Sequence, residues 1–312
     1  MSKRCLLVGV CSLLVVSAIE SAARADVTQG YGEARGVEAN ITEQSIVGFG
    51  GLLFGFPGTP NVFNSSPPPF SNNVMLGGVS QSSVFPSGAT SLTTGLLDVT
   101  ATSNVDGTAG AKTSSATSIL DNSSLSLVAS GVTPGPALFS LGATSITSQS
   151  QVSGDFGTLL ASGSTTILGG TISVLGIDLT ALVFPTTTPA PNTLITVNDA
   201  TLGGLGLIGG SVDILLNGQF GGSIPASGFQ NTLGIDLTFK NLVLLNDPTA
   251  PVTNGTLTFG NTFAFQAADP PVGGDAQPVP EPSSLALCAV LGVAGIMNRI
   301  KRRTQLPRTA AV

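Results

Sequence analysis

The sequence predicts an all-β protein whose antiparallel sheets pack as a sandwich. Its central part is rich in Gly, Ser, Thr and Val and poor in Lys and Glu, a composition that discourages helices and favours strands and turns. Apolar residues alternate with polar ones, for example at Leu125 and Leu127 and at Phe263 and Phe265, as on one face of a sheet. With 42% hydrophobic residues, a folded domain is expected rather than disorder.

The first element, residues 1–25, predicts a secretory signal peptide. A basic pair precedes an apolar run, and Ala23 and Ala25 supply the small-x-small pattern that signal peptidase requires. We therefore expect cleavage before Asp26. An uncleaved N-terminal anchor is the alternative.

Residues 26–266 are the predicted exported β-rich domain, as one large unit or two related ones. Between residues 26 and 280 there are three basic residues, Arg35, Lys112 and Lys240, against fifteen acidic ones, a formal charge of −12. Nucleic acid is excluded as a partner because phosphate contacts need clustered Lys and Arg. All three cysteines lie outside this part, so packing and backbone hydrogen bonds must hold the domain.

A possible internal duplication relates about 154–180 to about 218–238. The hexapeptide Leu175–Thr180 recurs as Leu233–Thr238, and similar Gly-x-Phe-Gly segments precede both copies. Two related sheets or half-domains would explain the repeat, and chance similarity in a chain of low complexity is the alternative.

Turn-forming residues divide the predicted strands. The proline-rich stretch 57–69 predicts a loop. Asp106-Gly107 and Asn217-Gly218 predict turns, and Asn254-Gly255 predicts a hairpin between Val252 and Leu257.

The C-terminal region predicts an extended Pro/Gly linker at 267–278 and then a single transmembrane helix at 283–298. The helix is short for a span, where roughly 17 to 25 residues is usual, so a buried core helix is the rival interpretation. A basic cluster that holds a helix end on the cytoplasmic side favours the span. This cluster comprises Arg299, Lys301, Arg302 and Arg303.

Pro280, Glu281 and Pro282, the apolar run and the basic cluster together resemble the PEP-CTERM sorting domain, over about residues 279–303. The resemblance implies recognition by exosortase, an inner-membrane protease-transferase of bacteria that make exopolysaccharide. It also implies cleavage near Glu281 and Pro282, and transfer of the exported part to the cell surface or extracellular matrix. The chain departs from the pattern in its tail, residues 304–312.

No catalytic site is evident. The chain has no His, and its Cys residues lie outside the exported part, which removes the usual nucleophilic triads and zinc sites. Carboxylates remain, so a glycoside hydrolase is the enzyme alternative. The absence of Trp and the single Tyr predict that aromatic platforms for sugar rings are missing. The candidate acids are isolated: Asp98, Asp155, Asp178, Asp213 and Asp236.

Two ligand patterns also occur. Gly204, Gly206 and Gly209 have dinucleotide-binding spacing, but a strand is predicted next, so we interpret them as turns and expect no cofactor. The oxygen-rich turns at 104–107 and 198–199 leave calcium binding open.

These features predict an exported, exosortase-sorted surface or matrix protein with a structural or adhesive role. Signal peptidase and exosortase are its expected processing partners, and the membrane holds it transiently through the C-terminal helix. The alternatives are an exopolysaccharide-binding or -degrading module and a permanently anchored single-span membrane protein.

Overall fold

The computed structural model describes residues 26–44, 50–85, 88–129, 137–244 and 252–270. Most of these residues lie in antiparallel strands, which confirms the predicted all-β class. The predicted signal peptide, the predicted sorting signal with its helix, and the tail lie outside these ranges. Within them, no helix has the length and apolar character needed to span a membrane.

The described ranges contain fifteen strands, numbered along the chain. They are β1 (Val27–Gln44), β2 (Gly50–Ser66), β3 (Phe70–Leu76), β4 (Ser80–Phe85), β5 (Gly88–Thr93), β6 (Leu97–Ser103), β7 (Lys112–Ala129), β8 (Phe139–Gly154), β9 (Leu160–Leu168), β10 (Thr171–Val174), β11 (Ile177–Asp178), β12 (Thr193–Asn198), β13 (Ile208–Ile224), β14 (Ser227–Leu244) and β15 (Val252–Ala268). A short helix, α1 (Thr180–Val183), and a 3₁₀ turn at Ala200–Leu202 are the helical segments described.

The first sheet has six strands in the order β12-β13-β14-β15-β1-β2. Strands β13, β14 and β15 follow one another as long antiparallel neighbours, and β1 then pairs with β15. The beginning and end of the domain are therefore adjacent. The backbone N–H of Asp269 donates to the carbonyl oxygen of Asp26 at 2.8 Å.

The second sheet has nine strands and is centred on the long pair β7 and β8. Each of these two strands has different outer neighbours along its two halves. Strand β7 pairs with β6 and then β5, while β8 pairs with β10 and then β9.

The two sheets pack face to face as a sandwich, and one end of its core is strongly apolar. Phe139, Leu120 and Ile146 of the second sheet are buried there with Phe259 of the first. The rings of Phe139 and Phe239 meet edge-on, with 5.8 Å between their centroids. Burying each such side chain contributes about 1.5–3 kcal/mol.

The other end of the core is built from small and hydroxyl-bearing side chains. Ser150 of β8 is fully buried, and its Oγ lies 2.9 Å from Thr232 Oγ1 and 2.9 Å from Thr262 Oγ1 on the facing sheet. These bonds satisfy polar groups that would be costly to bury alone.

Gly30 shows how closely the sheets approach at this end. A Cβ there would lie 2.5–2.6 Å from the hydroxyl oxygens of Ser66, Ser103 and Ser114. The three hydroxyls form a chain, with Ser103 Oγ 2.8 Å from Ser66 Oγ and 2.9 Å from Ser114 Oγ. Small residues are therefore required here by close packing.

Near the middle of the long strands, the alternation of buried and exposed residues shifts by one position, so that side chains of the same parity move to the other face of the sheet. In the first sheet, Gly36, Gly260 and Gly234 stand in one row across β1, β15 and β14. Gly260 has φ +71°, a conformation that L side chains rarely adopt. In the second sheet the same shift in the pattern of buried residues occurs on β7 at Asn122, whose φ is 47°.

This change has a consequence for the aromatic residues of β15. Phe259 is fully buried, whereas Phe263 and Phe265 fall on the opposite phase and share the outer face of the sheet with Tyr31. The alternation seen in the sequence is therefore real but switches faces within one strand.

Three predicted connections are wrong. Most of the proline-rich stretch 57–69 belongs to β2, an edge strand, where a missing N–H need not interrupt a ladder. Asn254-Gly255 lies inside β15 opposite β1, not in a hairpin, and Asn217-Gly218 lies inside β13. The predicted turn at Asp106-Gly107 is confirmed between β6 and β7.

The repeated hexapeptide adopts two different structures. Leu233–Thr238 is an uninterrupted part of β14. In the other copy Leu175 and Gly176 have positive φ, and the chain passes through β11 into α1. Strand β15 also runs to Ala268, so the domain extends past the predicted boundary at residue 266.

Candidate functional site

The outer face of the six-stranded sheet carries two rows of aromatic residues at the end with the hydroxyl-rich core. Each row crosses the sheet through residues that pair on neighbouring strands. The first row is Phe220, Asn231, Phe263, Glu33 and Phe63, and the second is Gly222, Phe229, Phe265, Tyr31 and Ser65. We call these ten residues the aromatic face.

Three rings of the aromatic face are well exposed: the exposed fractions are 63% for Phe63, 49% for Phe220 and 47% for Phe229. The central Phe263 is half-buried and holds its neighbours in place. Its ring lies 6.4 Å from that of Phe229 in a stacked arrangement and 5.8 Å from that of Tyr31 in an edge arrangement. Exposed apolar patches of this kind on a sheet typically mark binding surfaces.

Polar side chains run through the aromatic face along β1. Glu33 accepts hydrogen bonds from the Tyr31 hydroxyl at 2.7 Å and from Arg35 Nε at 2.7 Å. Arg35 also forms an ion pair with Glu38, with 3.4 Å between Nη1 and Oε2. Burial and the bond to Glu33 raise the pKa of Tyr31 well above its ordinary value, so its hydroxyl stays protonated.

Asp236 on β14 is a further acidic residue on the outer face of this sheet, in the same row as Glu38. It pairs with Thr258, which pairs in turn with Glu38, so the three stand in one row across the sheet. Burial raises the pKa of Asp236 to about 6, and the charge of Glu38 adds to the rise. The Thr258 hydroxyl donates a hydrogen bond to Asp236 Oδ1 at 2.6 Å, and this bond acts in the opposite direction by lowering the pKa of Asp236.

All three basic residues of the domain are ion-paired. Besides Arg35, Lys112 lies 2.6 Å from Asp106, and Lys240 pairs with Asp213. Burial alone would raise the pKa of Asp213, but its hydrogen bonds from Lys240 and Thr196 outweigh burial and lower it. The domain therefore offers little positive charge to an anionic ligand.

The other candidate acids take part in local structure. Asp178 accepts from the backbone N–H of Thr180 at 2.8 Å, and Asp155 from that of Phe156 at 2.8 Å. Asp98 contacts Asn73 on the neighbouring strand. Of the five predicted acids, Asp236 is the one that shares a row across the outer face with a second carboxylate, that of Glu38.

In the two oxygen-rich turns, the Asp side chains accept hydrogen bonds from nearby residues of the chain. Asp106 accepts from Thr108 as well as Lys112, and Asp199 accepts from the backbone N–H of Leu207 at 2.8 Å. Among the residues that the structure describes, no group of three acidic, His or Cys side chains is placed to hold a metal ion. Gly204 and Gly206 lie in the turn before β13, as predicted for glycine-rich turns between strands, whereas Gly209 lies inside β13.

Of the residues predicted to direct processing, the structure describes only Asp26. Asp26, after the predicted signal peptidase site, forms a backbone bond at the domain edge. Ala23, Ala25 and the sorting residues from Pro280 to Arg303 lie outside the described residues.

The chain has no Trp and one Tyr, yet its Phe side chains form an exposed aromatic surface. Six rings from five strands assemble on one face: Tyr31, Phe63, Phe220, Phe229, Phe263 and Phe265. Sequence alternation places Phe259, Phe263 and Phe265 on one face, so it gave no signal that Phe263 and Phe265 lie on the outer face.

None of the family models, curated proteins or solved structures compared with this chain matches it. The aromatic face and its acidic neighbours are therefore the basis for a functional assignment.

Proposed function

We propose that this chain is an exported, exosortase-sorted protein of the cell surface or extracellular matrix, with a structural or adhesive role. Signal peptidase would release residues 1–25, and exosortase would act near Glu281 and Pro282. The β-sandwich is then the functional part, and catalysis is not required of it.

The observation that carries the adhesive role is the aromatic face. It combines exposed rings with hydrogen-bonding side chains on a broad sheet surface, and its largest exposed rings contribute little to the core. A surface of this kind suits contact with an extended partner better than enclosure of a small substrate.

The position of the domain ends supports a tethered design. Asp26 and Asp269 are hydrogen-bonded neighbours, so both predicted targeting segments join the domain where β1 begins and β15 ends. The acidic charge of the domain also keeps it soluble and disfavours binding to anionic surfaces.

The mass and C-terminus of the protein test the sorting proposal. Protein recovered from the cell surface and medium should end near Glu281 or Pro282, while unprocessed chains remain in the membrane fraction. Recovery only of membrane chains that end at Val312 would replace sorting with permanent anchoring through a single span.

A glycoside hydrolase is the second candidate, and Asp236 is the observation in its favour. A carboxylic acid with a pKa near 6 can act as a general acid, and Glu38 stands two strands away, at a backbone separation of about 10 Å. Release of reducing sugars from a β-linked polysaccharide, abolished in Asp236→Asn, would establish this activity. If the protein binds the polysaccharide but releases no reducing sugars, the adhesive role is favoured.

A further inference from the structure

We propose that the aromatic face binds an extended, neutral, β-linked polysaccharide that lies across the strands. This inference rests on the proposed adhesive function and names its partner class. The chain would run from Phe220 over Phe263 to Phe63, perpendicular to β14, β15 and β1.

The spacing of the rings carries the inference. In the first row a ring occurs on every second strand, with Asn231 and Glu33 between the three rings. Because neighbouring strands lie about 4.8 Å apart, the rings repeat at about 10 Å. This is close to the length of one disaccharide in an extended β-1,4-linked chain, so alternate sugars can stack on successive rings.

The residues between the rings suit the intervening sugars. Asn231 brings a half-buried amide side chain to the row, and hydrogen bonds from Tyr31 and Arg35 fix the Glu33 carboxylate. Amide and carboxylate groups accept hydrogen bonds from sugar hydroxyls, while the axial C–H groups of a β-linked sugar make an apolar face for a ring.

Charge selects a neutral polymer over an anionic one. Arg35, the basic residue on this face, is already paired with Glu33 and Glu38, and Asp236 adds a further carboxyl group. An anionic polysaccharide would meet acidic side chains without a free cation to neutralise it.

The same charges argue against two other occupants. The centres of protein–protein interfaces are depleted of charged residues, but Glu33 lies between the rings of Phe263 and Phe63, and Arg35 lies directly beside that row. Surfaces that bind membranes combine apolar groups with Lys and Arg, whereas this face and the domain as a whole are acidic.

The test measures retention of the protein on insoluble cellulose and chitin, with soluble alginate as the anionic comparison in affinity electrophoresis. The variants are Phe220→Ala, Phe63→Ala and Phe220→Leu, the last keeping apolar bulk without a flat ring. The matched controls are Leu160→Ala and Met75→Ala, because these side chains are 68% and 62% exposed and belong to the other sheet.

We expect binding to at least one neutral polymer, weakened about tenfold by each Phe220 and Phe63 variant, Phe220→Leu included, and unchanged in both controls. Failure of the folded protein to bind either neutral polymer, or equal binding by all variants, would overturn the proposal. So would stronger retention by alginate, binding to anionic lipid vesicles, or a dimer that Phe220→Ala dissociates in sedimentation.

Protein from the surface and from detergent-extracted membranes is assayed in parallel. Binding by chains that still end at Val312 would support the polysaccharide site while contradicting sorting. Correctly processed chains without binding would do the reverse, so the two proposals fail separately.

Discussion

Ser150 and Thr262 join the two sheets through the core, with 2.9 Å between their hydroxyl oxygens and neither side chain exposed to solvent. Ser150 Oγ also lies 2.9 Å from the carbonyl oxygen of Thr262 and 2.9 Å from Thr232 Oγ1. The hydroxyl-rich end of the sandwich is thus specified by directed bonds, whereas the other end is specified by apolar packing.

Replacing Ser150 with Ala should lower the free energy of unfolding by about 1–3 kcal/mol, because Thr232 and Thr262 lose a buried partner. Ser148, two residues away on the same strand, is the matched control. It is equally buried, but its hydroxyl has no hydrogen-bond partner among the described residues. Ser148→Ala should therefore be neutral or stabilising in urea denaturation. Equal losses in both variants would contradict the role given to the hydroxyl network.

Stability between pH 4 and 6 should depend on Asp236. The group has a pKa of 3.8 in the unfolded chain and about 6 in the folded one, so the unfolded chain releases its proton first as the pH rises. This contribution makes the folded state progressively less stable from about pH 4 to about pH 6 and is constant above that. Asp236→Asn should remove this decline when urea denaturation curves are compared across the range.

Thr258→Val provides the complementary variant. It removes the hydroxyl that favours the ionised form of Asp236, so the decline should extend to higher pH than in the parent protein. Parallel pH profiles for the parent protein and Asp236→Asn would show that Asp236 titrates normally in the fold.

Two phenylalanines should separate stability from binding. Phe139 is fully buried against Phe239, so Phe139→Ala should cost about 3–5 kcal/mol in the free energy of unfolding. Phe63 is 63% exposed on the edge strand β2, and Phe63→Ala should change it by no more than about 0.5 kcal/mol. A large loss for Phe63→Ala in thermal and urea unfolding would mean that the aromatic face serves the fold.

The fold class could be predicted from composition and alternation, because both report the local preference for strands. The course of individual strands could not. The hexapeptide at Leu175–Thr180 and Leu233–Thr238 has one sequence and two structures, since pairing on both sides keeps the second copy in β14. Proline likewise excludes a strand only where the strand must hydrogen-bond to a neighbour on each side. Strand β2 has one neighbour in the sheet, so its prolines are tolerated.

The aromatic face could not be predicted because its residues are distant in sequence. Tyr31, Phe63, Phe220 and Phe263 become neighbours only when β1 inserts between β15 and β2. Asp236 was a candidate from the sequence, but its raised pKa depends on burial and on Glu38 from another strand. The proposed processing signals are short local motifs, so the sequence alone suggests them and the fold of the domain adds nothing to that prediction.

Gly30 provides the sharpest test of how closely the sheets approach. A Cβ at this position would lie 2.5–2.6 Å from three buried hydroxyl oxygens that already bond to one another, so Gly30→Ala must displace them. We expect a loss of about 1–3 kcal/mol in the free energy of unfolding. Gly222→Ala on β13 is the control, because its Cβ would meet no atom within 4 Å. It should leave the urea midpoint unchanged or slightly raised. If both variants unfold at the parental urea midpoint, the three serine hydroxyls move aside without loss of stability. The close approach of the two sheets would then not explain the glycine at position 30.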